Sequence, residues 1–302
     1  MKAPAATLAL APAGASARLA DYAALIRPRV AVMVLVTVML GGLLAADSLV
    51  PSAALWHTVF ATGLVTAGAS ILNQWLERRT DLEMKRTEDR PLATGRINSF
   101  EGLVLGLACS VVGLTYMLAA VPSVLPACIT AFTLVSYVAI YTPLKRVTTL
   151  NTLIGAVPGA MPPVIGWTAV RGELDIGALA LFLIVFVWQV PHFLAIAWIY
   201  RHDYAAAGMR MLPVGDRKGD RTALQMLLYG LALVPVSLAP VQIGMAGHNY
   251  AVGAGLLAAL FLWPIARFQR DRSVATARSV LRASLIYLPG ALGMLLVSKY
   301  WL

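Results

Sequence analysis

The sequence predicts an all-α, polytopic membrane protein built from nine transmembrane helices, and three observations predict it. Of 302 residues, 59% are apolar and only 13% charged, against roughly 25% charged in soluble domains. Nine apolar windows approach the ~20 residues that a bilayer-crossing helix requires. When the intervening loops are placed on alternating sides, all but two of the 24 Lys and Arg fall on one side, the exceptions being Arg171 and Lys299. Such asymmetry marks the cytoplasmic face. A water-soluble globule, a disordered chain and a nucleic-acid-binding protein are excluded. The net charge of +10 sits in short runs beside apolar stretches, where an anionic leaflet would meet it.

Residues 1–20 are Ala-rich, and their apolar part is broken by Pro4 and Pro12. Although Ala13-Gly-Ala-Ser-Ala17 has the small-residue look of a cleavage site, a disordered cytoplasmic tail is expected there, followed by a single membrane-embedded domain over 21–302. The spans are expected near 30–46, 53–76, 101–120, 124–142, 150–168, 176–199, 222–244, 250–266 and 280–298. The N-terminus is then cytoplasmic and the C-terminus on the opposite side, with a bacterial plasma membrane as the expected location. Pro158, Pro162, Pro163 and Pro289 fall inside spans, where they permit kinks and close packing. Trp56, Trp167 and Trp263 fit an interfacial aromatic belt. Cys109 and Cys128 have no partners at metal-ligand spacing, and His57 and His248 have no acidic neighbours.

Connections on the far side are short, whereas the cytoplasmic loops after the second and sixth spans are long and rich in titratable groups. Function is expected there. The second span runs into Asn73-Gln-Trp-Leu-Glu77-Arg-Arg-Thr-Asp81-Leu-Glu-Met-Lys-Arg86-Thr-Glu-Asp-Arg90. If the helix continues, Asn73, Glu77 and Asp81 share one face at about 6 Å per step. Hard cations such as Mg2+ take such oxygens and keep substrate phosphate and water as further ligands. Arg86 and Arg90 follow as phosphate partners. A solvated helix end would only balance these carboxylates against Arg78, Arg79 and Lys85. Polar groups at the membrane boundary, however, usually face a cavity and serve a function.

The Asn-x-x-x-Glu-x-x-Thr-Asp-x-x-Met-x-Arg-Thr-x-x-Arg pattern, closed by Gly95, resembles the first signature of the UbiA-type intramembrane prenyltransferases. The resemblance implies a helical bundle with a cytoplasm-facing active-site cavity, in which the acidic face holds Mg2+ and a prenyl diphosphate. The sixth span ends in Trp188-Gln-Val-Pro191-His192-Phe193, followed by Tyr200-Arg201-His-Asp203-Tyr204-Ala-Ala-Ala-Gly208. On a continuous helix His192 and Asp203 stand nearly three turns apart and face one cavity. These segments, with Tyr141-Thr-Pro-Leu-Lys145-Arg146, Gly159-Ala-Met-Pro-Pro and Arg27-Pro28-Arg29, look like those of the protoheme IX farnesyltransferases, the heme O synthase branch of that superfamily. Relatives that prenylate aromatic acids carry a second Asp-x-x-x-Asp, where this chain has Asp203 alone; that difference fits the heme-using branch.

The resemblance implies transfer of farnesyl from farnesyl diphosphate to a vinyl group of heme B, with water added, giving heme O and diphosphate. Asn73, Glu77 and Asp81 would hold Mg2+, and Arg86, Arg90, Lys145 and Arg146 would neutralise the diphosphate. His192 either ligates heme iron or orients the macrocycle. Asp203 assists metal or diphosphate binding through Tyr200 or Arg201, and the propionates pair among Arg27, Arg29 and Arg201. A heme A synthase or a terminal oxidase assembly factor is the implied downstream partner. The rivals are the same chemistry on an aromatic or quinone-precursor acceptor, a secondary transporter and a non-catalytic heme chaperone.

Overall fold

The structure is a computed structural model in which residues 15–301 are described, and it is helical throughout with no strand among them. Helix α1 (Ala15–Ile26) leads into α2 (Pro28–Ala45) and the long α3 (Ala53–Asp81). A single-turn α4 (Pro91–Thr94) precedes α5 (Ser99–Ala120). The fourth span joins α6 (Leu125–Val135), a π-helical turn (Ser136–Tyr141) and α7 (Thr142–Leu144). The fifth is divided at Ala160 into α8 (Asn151–Gly159) and α9 (Met161–Arg171). Then come α10 (Ile176–Ile199), the short α11 (Arg201–Ala206) and α12 (Leu212–Gly215), and the last three spans α13 (Asp220–Gln242), α14 (His248–Arg270) and α15 (Val274–Trp301).

Nine helices among the described residues are long and apolar enough to cross a membrane, at the nine expected positions. The tail expected over 1–20 differs in part: residues 15–20 belong to α1, while 1–14 lie outside the described residues. This helix is tethered rather than free. Its Leu25 carbonyl accepts from Ser70 Oγ at 2.8 Å and Gln74 Nε2 at 2.7 Å, and Asp21 pairs with Arg96 at 2.9 Å.

Without water to drive helices together inside a bilayer, close packing of small residues does much of the work. A side chain at Gly166 would place its Cβ 1.8 Å from the Val38 carbonyl oxygen, so α2 and α9 meet backbone to backbone. Large apolar side chains point outward instead, as with Met33 on α2, Val111 on α5, Leu256 and Trp263 on α14 and Ile286 on α15. That inside-out distribution suits a lipid surround. The buried side of α10 packs with α13, α14 and α15 in one cluster that includes Leu194, Trp198, Phe261, Phe268 and Tyr287.

Candidate active site

The acidic stripe forms because α3 does not stop at the membrane boundary. It continues to Asp81, and at 3.6 residues per turn Asn73, Glu77 and Asp81 rise on one face. All three are buried, at 1%, 8% and 0% exposure. Two segments meet them, one around Thr142 and Lys145 and the other at Arg90. Lys145 Nζ lies 2.8 Å from Glu77 Oε1, and Arg90 Nη1 reaches both Asp81 carboxylate oxygens at 2.7 Å and stands 4.0 Å from Glu77 Oε2. Arg146 donates to Thr80 Oγ1 one residue before Asp81.

Asn73 is oriented by a relay that starts in the π-helical turn. Thr142 Oγ1 donates to the Tyr137 carbonyl at 2.9 Å and so accepts from Asn73 Nδ2 at 3.0 Å, which leaves the amide oxygen without a protein partner. An inserted π turn often marks a functional site. Here it also sets Tyr141 against Lys145, whose ammonium lies 4.7 Å from the ring centroid. Burial opposes the charge on Lys145, but Tyr141 and the Glu77 carboxylate outweigh it and raise the ammonium above the ordinary lysine range.

Arg86, on the same loop as Arg90, reaches across to the other long loop region. Its Nη2 donates to Tyr204 Oη at 3.1 Å, and the guanidinium lies 5.0 Å from the Tyr200 ring centroid. The backbone beneath is held by a small core in which Met84 packs with Ala197, Ala207, Met209 and Met211. A further lock joins the loops: the Arg210 amide donates to the Lys145 carbonyl at 2.7 Å, and Asn151 Nδ2 donates to the Arg210 carbonyl at 2.9 Å. Four chain segments thus converge on one end of the bundle.

The remaining candidates divide. Arg29 is exposed and makes no ion pair among the described residues, whereas its neighbour Arg27 is half-buried within electrostatic reach of Arg90, Glu77 and Arg86. Burial, reinforced by Arg90, lowers the Arg27 guanidinium from its ordinary value. Arg27 is also the one non-glycine residue with positive φ among those described, at φ 55° and ψ 66°, a conformation that costs about 1–3 kcal/mol and clusters at functional sites. Arg201 turns away, donating to the Trp198 carbonyl at 2.9 Å and stacking on that indole. The continuous helix expected to carry both His192 and Asp203 is not present. It ends at Ile199, the chain turns at Tyr200 with φ −104° and ψ 21°, and Asp203 sits on α11 with no side-chain partner among the described residues. His192 instead faces α15, with Nδ1 2.7 Å from Ser284 Oγ.

No three His, Cys, Asp or Glu side chains among the described residues gather as a complete metal site. The acidic face offers two carboxylates and the unpartnered Asn73 oxygen. These hard donors fit Mg2+ if phosphate and water supply the rest. A cavity of about 480 Å³ lies at the opposite end of the bundle, beside Trp167, Arg171, Asp175 and Lys299. Its charges already serve the fold, since Asp175 caps α10 and Lys299 donates to the Leu44 carbonyl at 2.7 Å.

Sequence reasoning gave Arg27 only a place among the propionate partners and gave Tyr141, Thr142, Asn151 and Ser284 no role in these networks. Arg27 carried a local signal, because a residue before proline is disfavoured in the right-handed helical region.

The model of the UbiA prenyltransferase family matches residues 34–286. The chain belongs to the UbiA prenyltransferase family. A relative named protoheme IX farnesyltransferase, from Solibacter usitatus (strain Ellin6076), is 43% identical over 292 residues, which is 92% of this chain and 98% of the relative. A solved structure of digeranylgeranylglyceryl phosphate synthase superposes with a TM-score of 0.79 at 17% identity, covering 95% of this chain and all of that one. A UbiA homolog from Archaeoglobus fulgidus, bound to GPP and Mg2+, gives 0.59 at 16% identity over 91% of this chain and 99% of that one. At such identities these two structures establish the UbiA fold alone.

Proposed function

We propose that this multi-pass membrane protein transfers a farnesyl group from farnesyl diphosphate to a vinyl group of heme B, forming heme O and diphosphate. The observation that carries the donor half is the convergence of Lys145, Arg90, Arg86 and Arg27 on the acidic face of α3. The acceptor rests on the near full-length relatives named protoheme IX farnesyltransferase. The Archaeoglobus fulgidus complex with GPP and Mg2+ supports the choice of metal.

In this reading Asn73 Oδ1, Glu77 and Asp81 hold Mg2+, which when bound offsets the charge that builds on the departing diphosphate. Lys145, Arg90, Arg86 and Arg146 neutralise the phosphate oxygens, and Arg27, first placed with Arg29 among the propionate partners, joins them because it lies within electrostatic reach of Arg90 and Arg86. Positioned cations aimed at a leaving group supply most of the acceleration in such reactions. The carbon–oxygen bond of the donor breaks, the allyl cation bonds to the vinyl terminus, and water captures the cation left beside the ring and releases a proton. One water is consumed for each farnesyl transferred. Tyr200 and Tyr204 fix Arg86, and Asp203, unpaired nearby, assists the diphosphate end; Arg201 and His192 serve the heme end. The asymmetry of basic loops supports placing this end of the bundle at the cytoplasmic face of a bacterial plasma membrane, and heme O passes to a heme A synthase or an oxidase assembly factor.

The test is incubation of purified protein with heme B, farnesyl diphosphate and Mg2+, followed by mass analysis of the extracted porphyrins. A Mg2+-dependent hydroxyethylfarnesyl porphyrin is expected. Prenylation of an aromatic acid alone, with heme returned unchanged, would overturn the acceptor.

A further inference from the structure

A histidine inside an apolar span must have its polar atoms satisfied, and each ring nitrogen left without a partner is costly. His192 is half-buried on α10, seven residues before its end at Ile199, or about 10 Å below that end. Its surroundings are apolar and aromatic. The Trp188 indole stacks on the imidazole with centroids 4.9 Å apart and planes at 26°, and Phe193 meets it edge-on at 5.5 Å. No carboxylate among the described residues pairs with it.

Its one hydrogen-bond partner determines which nitrogen carries the proton. A serine hydroxyl has a single hydrogen, and Ser284 Oγ lies 2.6 Å from the Leu281 carbonyl, which can only accept. The hydroxyl proton therefore goes to Leu281, and the oxygen faces His192 Nδ1 at 2.7 Å as an acceptor. Nδ1 must then be the protonated nitrogen, and in a neutral ring Nε2 keeps a bare lone pair. The serine is itself held in register, because Trp188 Nε1 donates to its carbonyl at 2.8 Å. Two consecutive turns of α10 thus grip one residue of α15. Nε2 has no partner among the described residues, yet it is not one of the sealed orphan atoms found there, which are Thr62 Oγ1, Trp167 Nε1, Tyr250 Oη and Arg272 Nε.

We infer that Ser284 fixes His192 as the Nδ1–H tautomer so that Nε2 is presented to the iron of the heme acceptor, which makes Ser284, with Trp188 behind it, a positioning residue for that substrate. A ligating histidine whose other nitrogen donates to an oxygen is the usual way of fixing ring orientation and raising ligand basicity. The inference rests on heme as the acceptor and adds the atom that holds it. Tyr200, eight residues and about 12 Å further along the chain, reaches Arg86, which leaves the macrocycle and the diphosphate separate places.

The experiment titrates purified protein, wild type and variants, with heme B and with iron-free protoporphyrin, and records the iron–histidine stretching band of the ferrous complex. His192→Ala is expected to lose the band. Ser284→Ala should weaken heme binding about 10-fold or more and shift the band, while binding iron-free protoporphyrin within twofold of wild type. Ser284→Thr, which keeps the hydroxyl, should restore the wild-type band. An unshifted band in Ser284→Ala, or an equal loss of heme and iron-free porphyrin, would overturn the inference. Product assays on the same samples separate it from the assigned reaction. Wild-type protein that ligates heme through His192 but forms no farnesylated porphyrin would sink the reaction alone, whereas turnover without an iron–histidine band would sink the inference alone.

Discussion

The two polar regions of this bundle are stabilised in opposite ways. At the end of α3 every buried carboxylate has a cation, with Glu77 on Lys145 and Asp81 on Arg90. Between α10 and α15 a single histidine is held by one neutral hydroxyl. Buried charges must be paired because an isolated one costs several kcal/mol, so the acidic face is self-neutralised before any substrate arrives. The difference teaches how each region can be loaded. An incoming heme finds an open nitrogen, whereas a metal at the acidic face must take carboxylate oxygens that lysine and arginine already hold. A diphosphate resolves that competition, because it gives Lys145 and Arg90 a new anion as the metal takes their old ones.

The hardest blow to the comparison comes from Asp81→Ala. It removes a metal oxygen and leaves Arg90 unpaired, and transfer should fall by about 10³-fold in kcat/KM, with heme affinity kept within a factor of two because His192 lies in the other region. A parallel loss of heme binding would mean that the regions are one site.

A smaller effect sharpens the exchange. Binding of Mn2+ as a paramagnetic stand-in should be weak alone and about 10-fold tighter with pyrophosphate, and by reciprocity the metal should tighten pyrophosphate by the same factor. Lys145→Met frees Glu77, so it should bind the metal better alone while losing part of the coupling. Equal metal affinity with and without pyrophosphate in the wild type would remove the exchange.

The smallest expected effect concerns pH. Because Lys145 is raised in the folded protein by Tyr141 and Glu77 against the opposing pull of burial, its contribution to stability is fully present below the unfolded lysine value of about 10.4. It is lost only as pH rises through the higher folded value. Melting temperature should therefore differ between wild type and Lys145→Met by a constant amount from pH 7 to about pH 10, and the gap should close only above that. A gap that closes near neutrality would assign the effect to another group.

Much of this was legible in the sequence. Hydropathy and basic-loop asymmetry placed nine spans, and the spacing of Asn73, Glu77 and Asp81 placed three oxygen-bearing side chains on one face, because helix periodicity is a local property that survives into the structure. The same logic failed between His192 and Asp203, where the chain turns at Tyr200 and no proline or glycine there announces it. Arg29 was chosen for its charge, yet the turn at Arg27 aims that residue inward and leaves Arg29 outside.

By itself the sequence determined the class of molecule, the helices and the residues able to bear charge at the membrane boundary, since these follow from composition and from contacts a few residues apart. Only the tertiary structure decided the partners. Lys145 meets Glu77 across 68 residues, Asn73 meets Thr142 across 69, and His192 meets Ser284 across 92. Such pairings depend on how whole helices pack, here through backbone contacts as close as that of Gly166 with Val38, and no local pattern in the chain encodes which distant residue will stand opposite.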